Sequence, residues 1–201
     1  MNSPYPYLWG AAAACMALAG CITMKEPIIN YYALEAPVPA GATQSELRVA
    51  VQRTEGRAPY RRARMVVSPR EFALDTYTAS QWMDDPCDML TDGLVTYLAR
   101  HCAYVTFQPR VYKDAVRYVV VPYVDAFDHA RRGSTWHALM RVKFDIVDDA
   151  TRAVLHSTWF ERNRALPDSS IAAYVAAQNE AVAEYYATVL SELLRLAQPA
   201  E

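Results

Sequence analysis

Between Thr135 and Asp148 apolar and polar side chains alternate, with Leu139 and Val147 the apolar exceptions on the polar side. Trp136, Ala138, Met140, Val142, Phe144 and Ile146 take one side; His137, Arg141, Lys143 and Asp145 take the other. A period of two marks a strand with one buried and one wet face. Leu47, Val49 and Val51 alternate in the same way with Glu46, Arg48 and Gln52. Further β-rich runs fall at 28–34, 63–68, 71–77, 103–108, 117–128 and 153–164. The pair 63–68 and 71–77 reads as a hairpin around Ser68-Pro69-Arg70. Asp148-Asp149-Ala150-Thr151-Arg152 makes a second, tight one. Pro122 has no N–H to give a ladder, so its run is expected at an edge or with a bulge.

Two stretches change the period. Asp84-Asp85-Pro86 has an acidic cap followed by proline in the first turn, a helix start. Leu90, Leu94 and Leu98 follow at steps of four, with Met89 and Tyr97 beside them, so one face is apolar. Arg100 and His101 suit the negative end of the helix dipole. Gly93 in mid-helix costs about 1 kcal/mol relative to Ala and marks a close approach. A long second helix runs from Asp168 or Ser169 to residue 197. Val175, Val182, Tyr186, Val189, Leu193 and Leu196 give it a narrow apolar seam. The sum is an α+β domain: a mainly antiparallel sheet with two main helices packed on one face.

The N-terminus follows different rules. Residues 8–19 form an apolar run of roughly 18 Å as a helix, against about 30 Å of bilayer hydrocarbon. That length suits the core of a signal peptide and does not span. Leu18-Ala19-Gly20-Cys21 closes the run and resembles the lipobox of bacterial lipoproteins. The resemblance implies cleavage between Gly20 and Cys21, loss of residues 1–20 and diacylation of the Cys21 thiol. Residues 1–7 hold no Lys or Arg, a departure from the usual basic start. Residue 22 is Ile rather than Asp, which in that pattern implies sorting to the outer membrane. Residues 21–28 then read as a lipidated tether and residues 29–201 as a single domain.

Composition narrows the function classes. Hydrophobic residues make up 53% and charged ones 21%, an ordinary globular chain. A net charge of −2 argues against nucleic acid and against a polybasic grip on lipid. Of four cysteines, Cys15 leaves with the signal and Cys21 is acylated. Cys87 and Cys102 flank the first helix, roughly 22 Å apart along a straight one, beyond the about 7 Å a disulfide tolerates. Both are expected as buried thiols.

Catalytic motifs are absent from the sequence. The six glycines are too scattered for a phosphate loop or a nucleophile elbow. None of Lys25, Lys113 and Lys143 follows a serine by three. No His-Glu-x-x-His or Cys-x-x-Cys occurs, and neither metal nor cofactor is implied. Asp84 and Asp85 could form a carboxylate pair but are explained by helix capping. His129, His137 and His156 could converge across strands, or simply decorate polar faces. Arg61, Arg62 and Arg64, with Arg131 and Arg132, are basic loop clusters that could meet phosphates or an acidic partner. Trp82 either staples the first helix to the sheet or faces a partner. Tyr174, Tyr185 and Tyr186 either line a protomer interface or pack in the core.

The succession of elements resembles the ABC-type transport auxiliary lipoprotein family, which includes the lipoprotein of the paraquat-inducible operon. Cys21 comes first, then Tyr31-Tyr32-Ala33-Leu34, then the strand Met65-Val66-Val67 with Phe72 and Tyr77. Gln81-Trp82, Pro86, Met89-Leu90, Leu94, Leu98-Ala99, Tyr118-Val119-Val120, the Phe144 strand and the helix over 181–194 complete it. Gln81 stands where the family usually has Arg. The resemblance implies a fold like the N-terminal domain of the Tol system's periplasmic protein. It also implies a non-enzymatic partner of mammalian-cell-entry (MCE) transport systems. In these an ABC permease and ATPase with a periplasmic MCE tube move lipids or other apolar molecules. The lipoprotein is implied to form a ring at the outer membrane. A lipoprotein regulator of peptidoglycan synthesis is the alternative. An envelope hydrolase, built around Asp85 or His137, would need a constellation the sequence does not display.

Overall fold

The computed structural model describes residues 28–35, 44–107 and 116–198. In chain order its strands are β1 (Asn30–Tyr32), β2 (Ser45–Val51), β3 (Glu55–Gly56), β4 (Arg64–Arg70), β5 (Ala73–Trp82), β6 (Cys102–Phe107), β7 (Tyr118–Arg132), β8 (Thr135–Asp148) and β9 (Val154–Ala165). Helix α1 (Pro86–Ala99) lies between β5 and β6, and α2 (Ile171–Ala197) closes the fold. A 3-10 turn occupies Ala58–Tyr60. Gly20, Cys21 and the Pro/Gly/Ala-rich connection over 36–43 lie outside the described residues.

The strands form one sheet whose spine is β7, 15 residues long. Along one side of β7 runs β8, antiparallel, from Tyr118 opposite Asp148 to Arg132 opposite Thr135. Strand β9 continues antiparallel beyond it. Along the other side three short strands pair in succession, all parallel: β2 at Tyr118 to Val120, β3 at Tyr123 and Val124, β4 at Asp128 to Ala130. Then β6 adds parallel to β2, β5 antiparallel to β4, and β1 parallel to β5.

The sheet is therefore mixed, which corrects the mainly antiparallel expectation. Alternation shows which face a side chain takes and is silent about the direction of the neighbouring strand. Parallel neighbours arise from long crossovers, which leave no local periodicity. Of the two expectations for the run that holds Pro122, the edge fails, since it is the spine of the sheet, and the bulge is present. Val120 and Val124 accept from Gln52 N and Arg57 N on the β2–β3 side. The nitrogen of Pro122 falls in the gap between those two bonds, where no donor is needed. The bulge of β7 comes just after, between Val124 and Ala126.

Both helices cover one face. The Asp85 carboxylate accepts from Asp88 N at 2.9 Å and caps α1, with Pro86 opening the helix. Leu90, Leu94 and Leu98 are fully buried; each contributes about 1.5–3 kcal/mol by leaving water. Ser170 Oγ caps α2 by accepting from Ala173 N at 3.1 Å. The buried face of α2 includes Tyr174, Gln178, Val182, Tyr185, Tyr186 and Val189. It is wider than the seam expected from spacing, because a helix lying on a sheet must cover a broad surface. Gly93 marks the closest approach of α1 to α2. Tyr186 Oη donates to Leu90 O at 3.0 Å, and a Cβ at Gly93 would collide with that hydroxyl.

Candidate functional site

Trp82, Tyr185 and Tyr186, the candidates for a partner or protomer interface, are core residues. Trp82 is 0% exposed, its ring 5.6 Å from Phe127 and 5.8 Å from Tyr174. Its ring contacts join the end of β5 to β7 and to α2, the second helix, where the staple expected from sequence was of the first. Tyr185 sits against Phe144 and Phe160, and Tyr186 against Tyr97, both 1% exposed. Tyr174 Oη donates to Phe127 O at 3.2 Å. In this fold these rings face the interior, and no partner reaches them.

The acidic pair before α1 is joined by Asp88, with ligand oxygens within 4.8 Å of one another. Arg53 occupies the cluster. It donates to both Asp88 oxygens at 2.6 Å and reaches Asp85 at 3.6 Å. The arrangement is a capped helix start in which one guanidinium holds Asp85 and Asp88, while Asp84 accepts from Asp85 N at 2.8 Å.

The histidines do not converge. His129 is fully buried on the helix side, Nδ1 2.7 Å from Tyr77 Oη, its ring stacked on Tyr174 and tilted against Trp136. Burial pushes its pKa down to about 4. His137 lies on the opposite face with Nδ1 2.8 Å from Asn163 Oδ1. His156 faces Glu192 on α2 at 3.7 Å. Cys87 and Cys102 are free, buried thiols. Burial pushes Cys87 up to about 12 and Cys102 up to about 11, so neither offers a thiolate nucleophile.

A pair missed from sequence is Asp128, 5% exposed, which accepts from Tyr60 Oη at 2.8 Å. Burial holds the pKa of both groups up. This pair ties the 3-10 turn to β7, while the Tyr60 carbonyl accepts from Cys87 Sγ at the start of α1 at 3.5 Å. A tyrosine and an aspartate 68 positions apart give no local signal of it.

Two open depressions adjoin that turn. One, of about 350 Å³, is bordered by Arg53, Arg61, Arg62 and Asp85. The other, of about 670 Å³, lies between the turn and the β4–β5 hairpin, bordered by Arg62, Arg64, Val66 and Leu74. The basic loop cluster of the sequence thus collects at one rim. Neither depression brings a nucleophile to a base.

The β4–β5 hairpin turns at Glu71-Phe72, two residues beyond the expected point. Phe72 is 98% exposed and has φ 61. The left-handed region costs a non-glycine residue about 1–2 kcal/mol, and exposure gives nothing back in the folded monomer. Sequence periodicity placed Phe72 inside a strand and so hid it. Because β4 runs parallel to β7, the β4–β5 and β7–β8 turns share one end of the sheet. There Arg70, Arg131 and Arg132 are exposed. Ile28 and Tyr31, on the edge beside β5, are 81% and 62% exposed.

Comparison with known proteins places this architecture. The chain is similar to a Xanthomonas campestris protein of the DUF330 family, with TM-score 0.70 and 20% identity over 80% of this chain and 92% of that one. It is similar also to an uncharacterized protein of solved structure, with TM-score 0.66 and 12% identity over 83% and 99%. A weaker likeness, TM-score 0.46 and 19% identity over 79% and 93%, is to a PelC dodecamer from Paraburkholderia phytofirmans. These identities show the fold alone, and the last is too distant to carry an argument. No protein of curated function matches the chain. The profile of one family matches residues 32–189, from β1 into α2 and so across nearly the whole fold. The chain belongs to the ABC-type transport auxiliary lipoprotein component family.

Proposed function

We propose that this protein is a non-enzymatic, lipid-anchored subunit of an MCE-type ABC transport system, held at the periplasmic face of the outer membrane. Residues 1–20 are the signal peptide, residues 21–28 the lipidated tether and residues 29–201 the working domain. The observation that carries the reading is a lipobox cysteine, Cys21, just ahead of the matched stretch over 32–189. Each buried methylene adds about 0.8 kcal/mol, so two or three acyl chains hold a protein permanently where one would not. Among the described residues the domain offers surface rather than reaction chemistry: Cys87 and Cys102 are buried thiols, and in the acidic cluster before α1 Asp85 and Asp88 are held by Arg53. Its role is docking. Copies assemble as a ring and receive the periplasmic MCE component, itself fed by the permease and ATPase, for passage of lipid or another apolar molecule. No cofactor and no nucleic acid take part.

Crosslinking in the intact envelope, followed by purification of this protein, tests the reading. The MCE-domain protein is the expected product, lost in Cys21→Ala protein whose circular dichroism is unchanged. Recovery of a penicillin-binding protein in its place would overturn the transport reading in favour of regulated peptidoglycan synthesis.

A further inference from the structure

One end of the sheet combines three features that folding does not explain. Phe72 projects into solvent from a backbone conformation that glycine would adopt without strain. Leu74, next but one, is 50% exposed. Arg70, Arg131 and Arg132 lie at the same end of the sheet, on the β4 and β7 side of the tip; among the described residues no salt bridge joins a carboxylate to them. Arg131 and Arg132 instead donate to the carbonyls of Gly133 and Arg131, which holds them on the β7–β8 turn. The nearby acids are few. Glu71 is in the turn itself, Asp75 is exposed three residues along β5 and accepts from Thr76 N at 2.7 Å, Asp128 is buried below and feels Arg132, and Asp168 is engaged by Ser170 N at 2.7 Å. An aromatic tip flanked on one side by three arginines is chemistry that meets phosphate headgroups and the acyl boundary beneath them.

The chain's own connectivity brings a membrane to this end. Strand β1 pairs parallel to β5, Asn30 beside Ser80 and Tyr32 beside Trp82. Going back from Asn30 therefore leads in the same direction as going back from Ser80 toward Phe72. At about 3.3 Å per residue the tip lies about 20 Å beyond Ile28. The stretch from Cys21 to Ile28 spans at most about 24 Å when extended. The two lengths match, so an anchor at Cys21 reaches the level of Phe72 and little further.

We infer that the Phe72 hairpin, with Arg70, Arg131 and Arg132, is a second membrane contact that inserts into an anionic phospholipid surface and fixes the orientation of the domain on it. The inference rests on the acyl anchor proposed above. It assigns the opposite end of the sheet to face away from the bilayer.

The test uses the full processed lipoprotein in vesicles of phosphatidylethanolamine and phosphatidylglycerol doped with brominated phosphatidylcholine. Mass spectrometry of the same sample first reports the acyl chains on Cys21. Phe72→Trp adds a fluorophore whose emission, after subtraction of the parent protein, is expected to be quenched by the bromines. Replacing Arg70, Arg131 and Arg132 together by Ser should reduce that quenching about twofold or more. Phe72→Gly should keep or raise the urea midpoint while abolishing contact, which separates the tip's role from folding. Unquenched emission from acylated protein overturns the tip and leaves the anchor standing. Protein without acyl chains overturns the anchor. The tip is then read by flotation of that protein with the same vesicles, where failure to float overturns it as well.

Discussion

His129 carries no charge in the fold because nothing around it can share one. Tyr77, Trp136 and Tyr174 enclose the ring, and Asp128, adjacent in sequence, points through the sheet to the other face and to Tyr60. A folded pKa of about 4 against about 6.5 in the unfolded chain means that the unfolded state binds the proton first as pH falls. The stability owed to neutral His129 is complete above pH 6.5 and drains away down to pH 4, a loss of about 3 kcal/mol. Asp128 acts with the opposite sign. Its pKa is raised by burial, so its unfavourable contribution at neutral pH eases as it protonates. Urea midpoints measured at neutral pH and near pH 4 should fall steeply for the parent protein. His129→Gln should flatten that fall, since it removes the histidine term and leaves Asp128 in place. An equal pH slope in both proteins would show that the ring is hydrated.

At the scale of elements the contact of α1 with α2 is set by one missing methyl group. Alanine is the better helix former by about 1 kcal/mol, so propensity alone makes Gly93→Ala stabilising. Packing reverses the sign: the new Cβ occupies the space of Tyr186 Oη, with Cζ only 3.0 Å away, and the hydroxyl must release Leu90 O. A displaced buried ring and a buried Tyr186 hydroxyl left without its acceptor together cost about 2–4 kcal/mol, so the variant should unfold at lower urea by a net 1–3 kcal/mol. Double replacement with Tyr186→Phe should recover part of that loss. The approach was legible in the sequence because a glycine amid leucines at helical spacing needs a reason. The cap at Asp85 and the limits of β8 were legible too, each being a local signal of a few residues. Parallel pairing, the place of Pro122 and the turn at Phe72 were not, because each depends on which distant strand lies alongside. The interface candidates failed for a related reason. A Trp or Tyr suits a core and a contact surface equally, and only the breadth of the α2 face, read in three dimensions, puts Trp82, Tyr185 and Tyr186 inside.

For the whole molecule the proposed acyl anchor makes its distance from the fold the decisive quantity. A tether of at most about 24 Å confines the domain to a thin layer above the lipid, where the Phe72 hairpin meets headgroups at high effective concentration. Effective concentration falls roughly as the −3/2 power of linker length. Inserting about twenty Gly and Ser residues between Glu26 and Pro27 should therefore dilute the tip about eightfold while leaving the lipobox, the acyl mass and the membrane fraction untouched. Quenching of the Phe72→Trp reporter should drop accordingly, and crosslinks to the MCE component should weaken with it, because a domain free to tumble no longer presents one end to the periplasm. Retained crosslinking with lost quenching would show that the transport partner, and not the membrane, sets the orientation. Loss of both with acylation intact is the expected result, and it would show that a lipid anchor alone holds the protein in place without pointing it anywhere.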